Sequence, residues 1–129
     1  MIINHDVAFK KVINMVENIE DAFVTNLETM IEFAKEGIVS KTFLDTPDLK
    51  MVLFCMAKGQ SLSEHTASMP ASIHVMRGKA MIILGENKYE ALPGTWIYMP
   101  AELKHAINAL EDFVFLLTLH KSIKKSTNK

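Results

Sequence analysis

The hydrophobic and polar positions near the N-terminus predict an amphipathic helix over residues 6 to 19. Apolar side chains recur at the i, i+3, i+4, i+7 spacing of a helix, at Phe9, Val12, Ile13 and Val16. Polar residues occupy the opposite face, and Asp6 is a suitable N-cap. A single apolar stripe indicates that this helix docks, either on the rest of its own chain or on a partner.

From Gly37 onward the pattern changes to short apolar runs separated by turn residues. In chain order the runs are IVSKTFL, LKMVLFCMA, ASIHVMR, AMIIL, NKYEAL, TWIYMP, HAINAL and FVFLLTLH, with SLSEH following the second run. Turn signals such as Thr46-Pro47-Asp48 and Pro93-Gly94 lie between them. Short strands at this regular spacing predict an all-β sandwich or barrel.

Some of these strands are apolar on both faces, LKMVLFCMA and FVFLLTL most clearly. A small barrel buries only the inner face of such strands, so the outer face needs a cover. The N-terminal segment or a second subunit would provide that cover, and we expect a homodimer.

Composition narrows the class of protein. The chain has 129 residues, 49% of them hydrophobic, which suits one domain with one core. A net charge of −1 argues against nucleic acid as a partner. No run is long enough for a membrane span, and the N-terminus lacks the features of a signal peptide, so we expect a cytoplasmic protein. The lone Cys55 lies in an apolar run, which favours a buried, inert thiol.

Two stretches carry the spacing of a known pair of motifs, G-x5-H-x-H-x3,4-E-x6-G and G-x5-P-x-G-x2-H-x3-N. The matching positions are Gly59, His65 and Gly78 in the first motif and Gly94, Pro100 and His105 in the second. At these residues, within positions 37 to 119, the sequence resembles the cupin family of small β-barrels. The resemblance implies a double-stranded β-helix, or jelly-roll barrel, here preceded by the short N-terminal helix.

The sequence departs from both motifs at four positions. Ala67 stands at the second His of the first motif, and Ala71 stands at its Glu. In the second motif Glu102 replaces the Gly, and the final Asn is displaced by one position to Asn108. The run EHTASMPA resembles a cupin subgroup with a His-Thr-x-x-Met-Pro-Ala turn, which implies no particular reaction.

The helical period, the resemblance and the basic C-terminal residues together divide the chain into an N-terminal helical extension over residues 1–24, a barrel over 25–120 and a basic tail over 121–129. Residues 20 to 36 are ambiguous, because their Glu, Ala, Met and Leu content favours a helix. The resemblance instead implies that residues 27 to 33 are extended and begin the barrel, and we adopt the strand.

Family members hold a metal at the barrel mouth with ligands from both motifs, and this implies His65 and His105 as metal ligands here. A transition-metal site needs about three protein ligands, and alanines 67 and 71 supply none. Glu102 is a candidate third ligand or general base, although an exposed loop carboxylate is the simpler interpretation. We therefore expect either no cofactor or a weakly bound divalent transition metal.

Other polar side chains are expected to lie away from the site. By strand alternation Glu64 and His74 should point out of the barrel, with His74 as a half-buried sheet or interface residue. His5 precedes the first helix and His120 follows the last strand, so both should lie at the surface. Trp96 and Tyr98 share one face of their strand and Ile97 and Met99 the other, and alternation alone does not decide which pair is internal. Most of the nine methionines are interpreted as core residues that could also line an apolar pocket.

Three functions remain compatible with these features. The first is a small-molecule-binding module with a degenerate metal site, which the two alanines favour. The second is a metal-dependent oxygenase or isomerase that uses His65, His105 and an unconventional third ligand. The third is a purely structural dimer module.

Overall fold

The computed structural model describes residues 21–121, which form two antiparallel sheets packed face to face. The eight strands predicted from Gly37 onward are all present, and the run SLSEH forms a ninth that was not predicted as a strand. They are β1 (Ile38–Asp45), β2 (Leu49–Met56), β3 (Ser61–His65), β4 (Ala71–Arg77), β5 (Ala80–Leu84), β6 (Asn87–Ala91), β7 (Trp96–Met99), β8 (His105–Ala109) and β9 (Phe113–His120). The helix predicted over residues 6 to 19, and the basic tail after Lys121, lie outside the described residues.

One sheet has the strand order β1-β2-β9-β4-β7, and the other has the order β3-β8-β5-β6. Apolar residues at alternate positions of both sheets meet between them and form the main core, the expected outcome of a period of two. Its largest fully buried members are Met56, Ile73, Ile82, Ile107, Phe113 and Phe115. The predicted all-β jelly-roll barrel is confirmed.

A second apolar cluster lies on the outer face of the five-stranded sheet. Val39, Phe43, Leu53, Cys55 and Val114 project outward there from β1, β2 and β9. Residues 27–34, the covering segment, pack over this cluster through apolar side chains at Leu27, Met30, Ile31 and Ala34. The outer faces of the doubly apolar strands are therefore partly covered by the chain itself.

The strand interpretation of residues 27 to 33 is wrong. Leu27–Met30 is a 3-10 helix, and the first strand of the barrel begins only at Ile38. The Asn26 side chain caps this helix by accepting a hydrogen bond from the Glu28 amide, 2.9 Å away. The helix ends at Met30, because Ile31 already has an extended backbone, with φ of −69° and ψ of 129°. The segment therefore forms neither a strand of the barrel nor a continuous helix.

Within the described part of the chain, no helix is long and apolar enough to cross a membrane. The thiol of Cys55 is fully buried in the outer cluster, and burial raises its pKa above the ordinary value. The sequence interpretation of Cys55 as a buried residue is confirmed, and an un-ionised thiol is a poor nucleophile.

Candidate functional site

A cavity of about 200 Å³ opens between the two sheets at one end of the barrel. Most of its lining is apolar: Phe54, Leu62, Met69, Ile73, Met99, Leu103, Ile107, Phe115, Leu117 and Leu119. His65 and His105 are the lining residues with polar side chains. Concave, mainly apolar cavities with a few polar groups are typical of small-molecule sites.

The sheet register brings the two histidines together. His65 ends β3, His105 begins β8, and the two residues are direct partners in this antiparallel pair. Their ring centroids lie 4.2 Å apart with the planes inclined by 58°. Directly opposite residues of an antiparallel pair have neighbouring side chains, so the two imidazoles form one polar spot in the cavity wall.

Backbone carbonyls fix the orientation of both rings. Nδ1 of His65 lies 2.7 Å from the Ser63 carbonyl oxygen, and Nδ1 of His105 lies 2.9 Å from the Leu103 carbonyl oxygen. A carbonyl oxygen only accepts, so each Nδ1 carries the hydrogen and donates it. In the neutral ring, Nε2 is then left as an acceptor or a metal ligand.

The two rings differ in their environment. His105 is buried, with 8% of its surface exposed, whereas His65 is exposed at the cavity mouth. Burial lowers the pKa of His105, the hydrogen bond to Leu103 opposes this change, and the neighbouring His65 lowers the pKa further. His105 is therefore held in its neutral form more firmly than an exposed histidine.

Ala67 and Ala71 line the same cavity as the two histidines. All four positions that the motif resemblance aligned with metal ligands therefore lie around one space. The two alanines contribute methyl groups there instead of an imidazole and a carboxylate.

The donor set does not fit a resident transition metal. The two Nε2 atoms supply two ligands, whereas such sites usually draw three or more from the protein. Among residues 21–121 there is no cluster of three or more His, Cys, Asp or Glu side chains arranged to hold a metal ion.

Glu102 lies in the loop between β7 and β8. Its backbone has a φ of 68°, a left-handed conformation that explains why glycine suits this motif position. Its amide donates a 2.7 Å hydrogen bond to the Ala67 carbonyl and so ties together the two loops at the cavity mouth. Its side chain is exposed and is not part of the lining described above.

Glu64 and His74 point out of the barrel as alternation predicted, but His74 is exposed and not half-buried. His120 was expected at the surface and is half-buried at the end of β9, and His5 is not among the described residues. Ile97 and Met99 face the core, whereas Trp96 and Tyr98 are exposed on the outer face, which answers the question that alternation left open.

Several apolar lining residues were not singled out from the sequence, notably Leu117 and Leu119. They share the parity of Phe113 and Phe115 along β9, so alternation from a known core residue could have found them. Leu62 and Leu103 carry no comparable signal, because one lies beside a register shift and the other lies in a loop.

Comparison with solved structures gives strong matches. A conserved protein of unknown function from Streptococcus pyogenes is 31% identical, with a TM-score of 0.71 over 83% of this chain and 94% of that one. A cupin 2 conserved barrel domain protein from Leptotrichia buccalis is also 31% identical, with a TM-score of 0.70 over 75% of this chain and 47% of that one. A cupin superfamily protein from Desulfitobacterium hafniense is 23% identical, with a TM-score of 0.70 over 80% and 94% of the two chains.

Comparison with protein-family models and with curated proteins gives no match. The two-sheet jelly roll and its structural neighbours nevertheless define the class, a small cupin-type domain. The resemblance at the two motifs is confirmed at the level of family and fold.

Proposed function

We propose that this protein is a small-molecule-binding cupin whose metal site is degenerate. The observation that carries the proposal is the cavity of about 200 Å³ with an apolar wall and a single polar spot, made by His65 and His105. An apolar wall supplies the free energy of binding, and the polar spot fixes the orientation of the ligand. The loss of two motif ligands to Ala67 and Ala71 supports a binding role over a metal-dependent reaction.

A metal-dependent oxygenase or isomerase is the second candidate function. It is favoured by the convergence of His65 and His105, whose Nδ1 atoms are engaged in the way that metal-bound histidines usually are. It requires a third ligand, for which Glu102 remains the candidate because it lies in the loop at the cavity mouth.

Blocking the cavity tests the binding function. Phenol, toluene, anisole and cyclohexanol would be titrated into the full-length protein by calorimetry, and we expect at least one to bind. Ala67→Phe should abolish this binding because Ala67 lines the cavity. Ser68→Phe is the matched control, since the neighbouring Ser68 is exposed and outside the lining. Absence of binding by every probe, or equal binding by both variants, would contradict the proposal.

We also propose that the protein is a homodimer. The covering segment packs on β1, β2 and β9, whereas Trp96 and Tyr98 on the edge strand β7 are 62% and 53% exposed. Adjacent exposed aromatic side chains on an edge strand suit a contact with a second copy.

We also propose that the protein is located in the cytoplasm, on the sequence features alone.

Light scattering of the full-length protein at micromolar concentration would test the dimer. Trp96→Arg should shift the protein to monomer, because the charge would be buried in the contact. Tyr89→Arg is the control, since Tyr89 is 48% exposed on β6 of the other sheet. A monomeric wild-type protein, or a dimer unaffected by Trp96→Arg, would contradict this arrangement.

A further inference from the structure

The polar spot in the cavity offers hydrogen-bond acceptors only. Each Nδ1 already donates to a backbone carbonyl, so each neutral ring presents Nε2 as a lone pair. Within residues 21–121, no protein group donates a hydrogen bond to either Nε2. A ligand that fills the cavity displaces water from these acceptors. Unless the ligand donates a hydrogen bond in place of the water, the acceptors stay unpaired and binding is weaker.

The rest of the lining contains no group that would favour a ligand without a hydrogen-bond donor. Apart from the two histidines it has no polar side chain, so it supplies neither a cation for an anionic ligand nor a carboxylate for a cationic one. Carboxylates, ketones and ethers would place acceptors against acceptors. A charged ammonium would lose its hydration against an apolar wall without a counter-ion.

We propose that the cavity selects a small neutral alcohol or phenol, whose hydroxyl donates a hydrogen bond to Nε2 of His105. This preference rests on the proposed binding function and specifies the class of ligand that the cavity binds. His105 is the primary contact because it is buried, whereas His65 lies exposed at the mouth, where water can satisfy it. The apolar body of the ligand lies against the lining formed by residues such as Phe54, Ile73 and Phe115.

The volume sets the size of the ligand. An apolar cavity of about 150 Å³ holds benzene, and this cavity measures about 200 Å³. The difference leaves room for a ring together with one hydroxyl or one further small group. Ligands of roughly seven to ten non-hydrogen atoms are therefore expected.

Phenol, toluene and anisole separate a donor requirement from simple apolar binding. Phenol and toluene have nearly the same shape, whereas anisole keeps the phenol oxygen but cannot donate. Calorimetry on chelator-treated, full-length protein at about pH 8, above the ordinary His pKa of about 6.5, should give phenol an affinity at least about tenfold above toluene and anisole. An apolar cavity without a donor requirement would favour toluene, the more apolar molecule.

His105→Phe removes the acceptor but keeps a ring, so phenol should lose its advantage while toluene still binds. Toluene binding also reports that the variant keeps a folded cavity. His74→Phe, on the exposed outer face of β4, should keep the preference for phenol.

Equal or tighter binding of toluene by the wild type would overturn the donor requirement and leave the binding function standing. A phenol preference that survives in His105→Phe would also overturn the assignment. If no probe binds, both the donor requirement and the binding function fail.

Discussion

At the residue scale, the two histidines are oriented by local backbone geometry. Each Nδ1 donates to the carbonyl of the residue two positions earlier, Ser63 for His65 and Leu103 for His105. Because both contacts lie within one strand or its leading loop, neither depends on a distant side chain. The register between β3 and β8 then places the two oriented rings next to each other. The orientation of the two rings therefore does not depend on the side chains at positions 67 and 71.

Stability should depend on pH through His105. Burial lowers its pKa in the folded protein, whereas the unfolded chain has the ordinary value of about 6.5. Below that pH the unfolded chain binds more protons, so stability is fully present above about 6.5 and declines as the pH falls through the folded pKa. Denaturant unfolding of chelator-treated protein at about pH 7.5 and 5.5 should show this loss, and His105→Phe should show less of it. Equal losses in the two proteins would contradict the assignment.

Gly78, between β4 and β5, should tolerate no side chain. Its φ is +83°, and an added Cβ would overlap the Asp112 carbonyl oxygen. A left-handed conformation costs a residue with a side chain about 1–2 kcal/mol. The overlap would add to this cost, because neither the Cβ nor the backbone carbonyl of Asp112 can rotate away. We expect Gly78→Ala to lower the free energy of unfolding by at least about 3 kcal/mol.

Gly59→Ala is the matched control, measured by the same denaturant unfolding. Gly59 also has a positive φ, +90°, but its Cβ would meet nothing within 4 Å. Its cost should stay near the conformational term of about 1–2 kcal/mol. Similar losses for the two variants would show that the contact with Asp112 carries no weight.

At the element scale, the covering segment is held to the barrel by a buried lysine. Lys41 lies on the outer face of β1 and is 7% exposed. Its Nζ donates to the Met30 carbonyl at 2.9 Å and lies 2.8 Å from a carboxylate oxygen of Glu32. A charge buried in this way is stabilising only if it is paired, and the segment supplies both partners.

Lys41→Met should loosen the covering segment. The Met30 carbonyl and the Glu32 carboxylate would lose their cation, and we expect a loss of about 1–3 kcal/mol in the free energy of unfolding. Hydrogen exchange of amides 27–34 should rise more than exchange in the core strands. Arg77→Ala breaks an ion pair with Glu28 in which both side chains are about half exposed, so it should cost at most about 1 kcal/mol. Equal effects of the two variants would contradict a special role for Lys41.

The strands were predictable because alternation and turn residues act locally. In the run ASIHVMR, for example, alternate residues face the core and His74, between two of them, is exposed. The covering segment was predicted wrongly because neither the resemblance, which implied a strand, nor the residue propensities, which favoured a helix, describe a short 3-10 helix followed by irregular chain. Its position on the sheet depends on long-range contacts such as the one between Lys41 and Met30, which no local pattern contains.

The site was predictable only in part. Motif spacing identified His65 and His105, and the structure brings them to one cavity. The burial of one ring and the exposure of the other follow from where β3 and β8 end in the folded sheets. That difference could not be derived from spacing.

At the scale of the whole molecule, the four positions that the motif resemblance aligns with metal ligands lie at one end of the barrel, and two of them carry no donor atom. His65, Ala67, Ala71 and His105 surround the same cavity, although they come from β3, the following loop, β4 and β8. The barrel therefore holds the positions together independently of the side chains that occupy them. Exchanging the alanines for ligands should convert a cavity into a metal centre without a change of fold.

We expect the wild-type protein to purify with well below one equivalent of metal, and His65→Ala or His105→Ala to remove what is bound.

Ala67→His combined with Ala71→Glu should raise the affinity for divalent transition metals, because the new imidazole and carboxylate complete the donor set and add a negative charge. The same double variant should bind phenol less well, since its side chains occupy the cavity. Elemental analysis after dialysis against chelator measures the first effect, calorimetry the second, and His74→Ala is the control. Stoichiometric metal in dialysed wild-type protein would contradict the degenerate site, and Glu102→Gln would then test the third ligand.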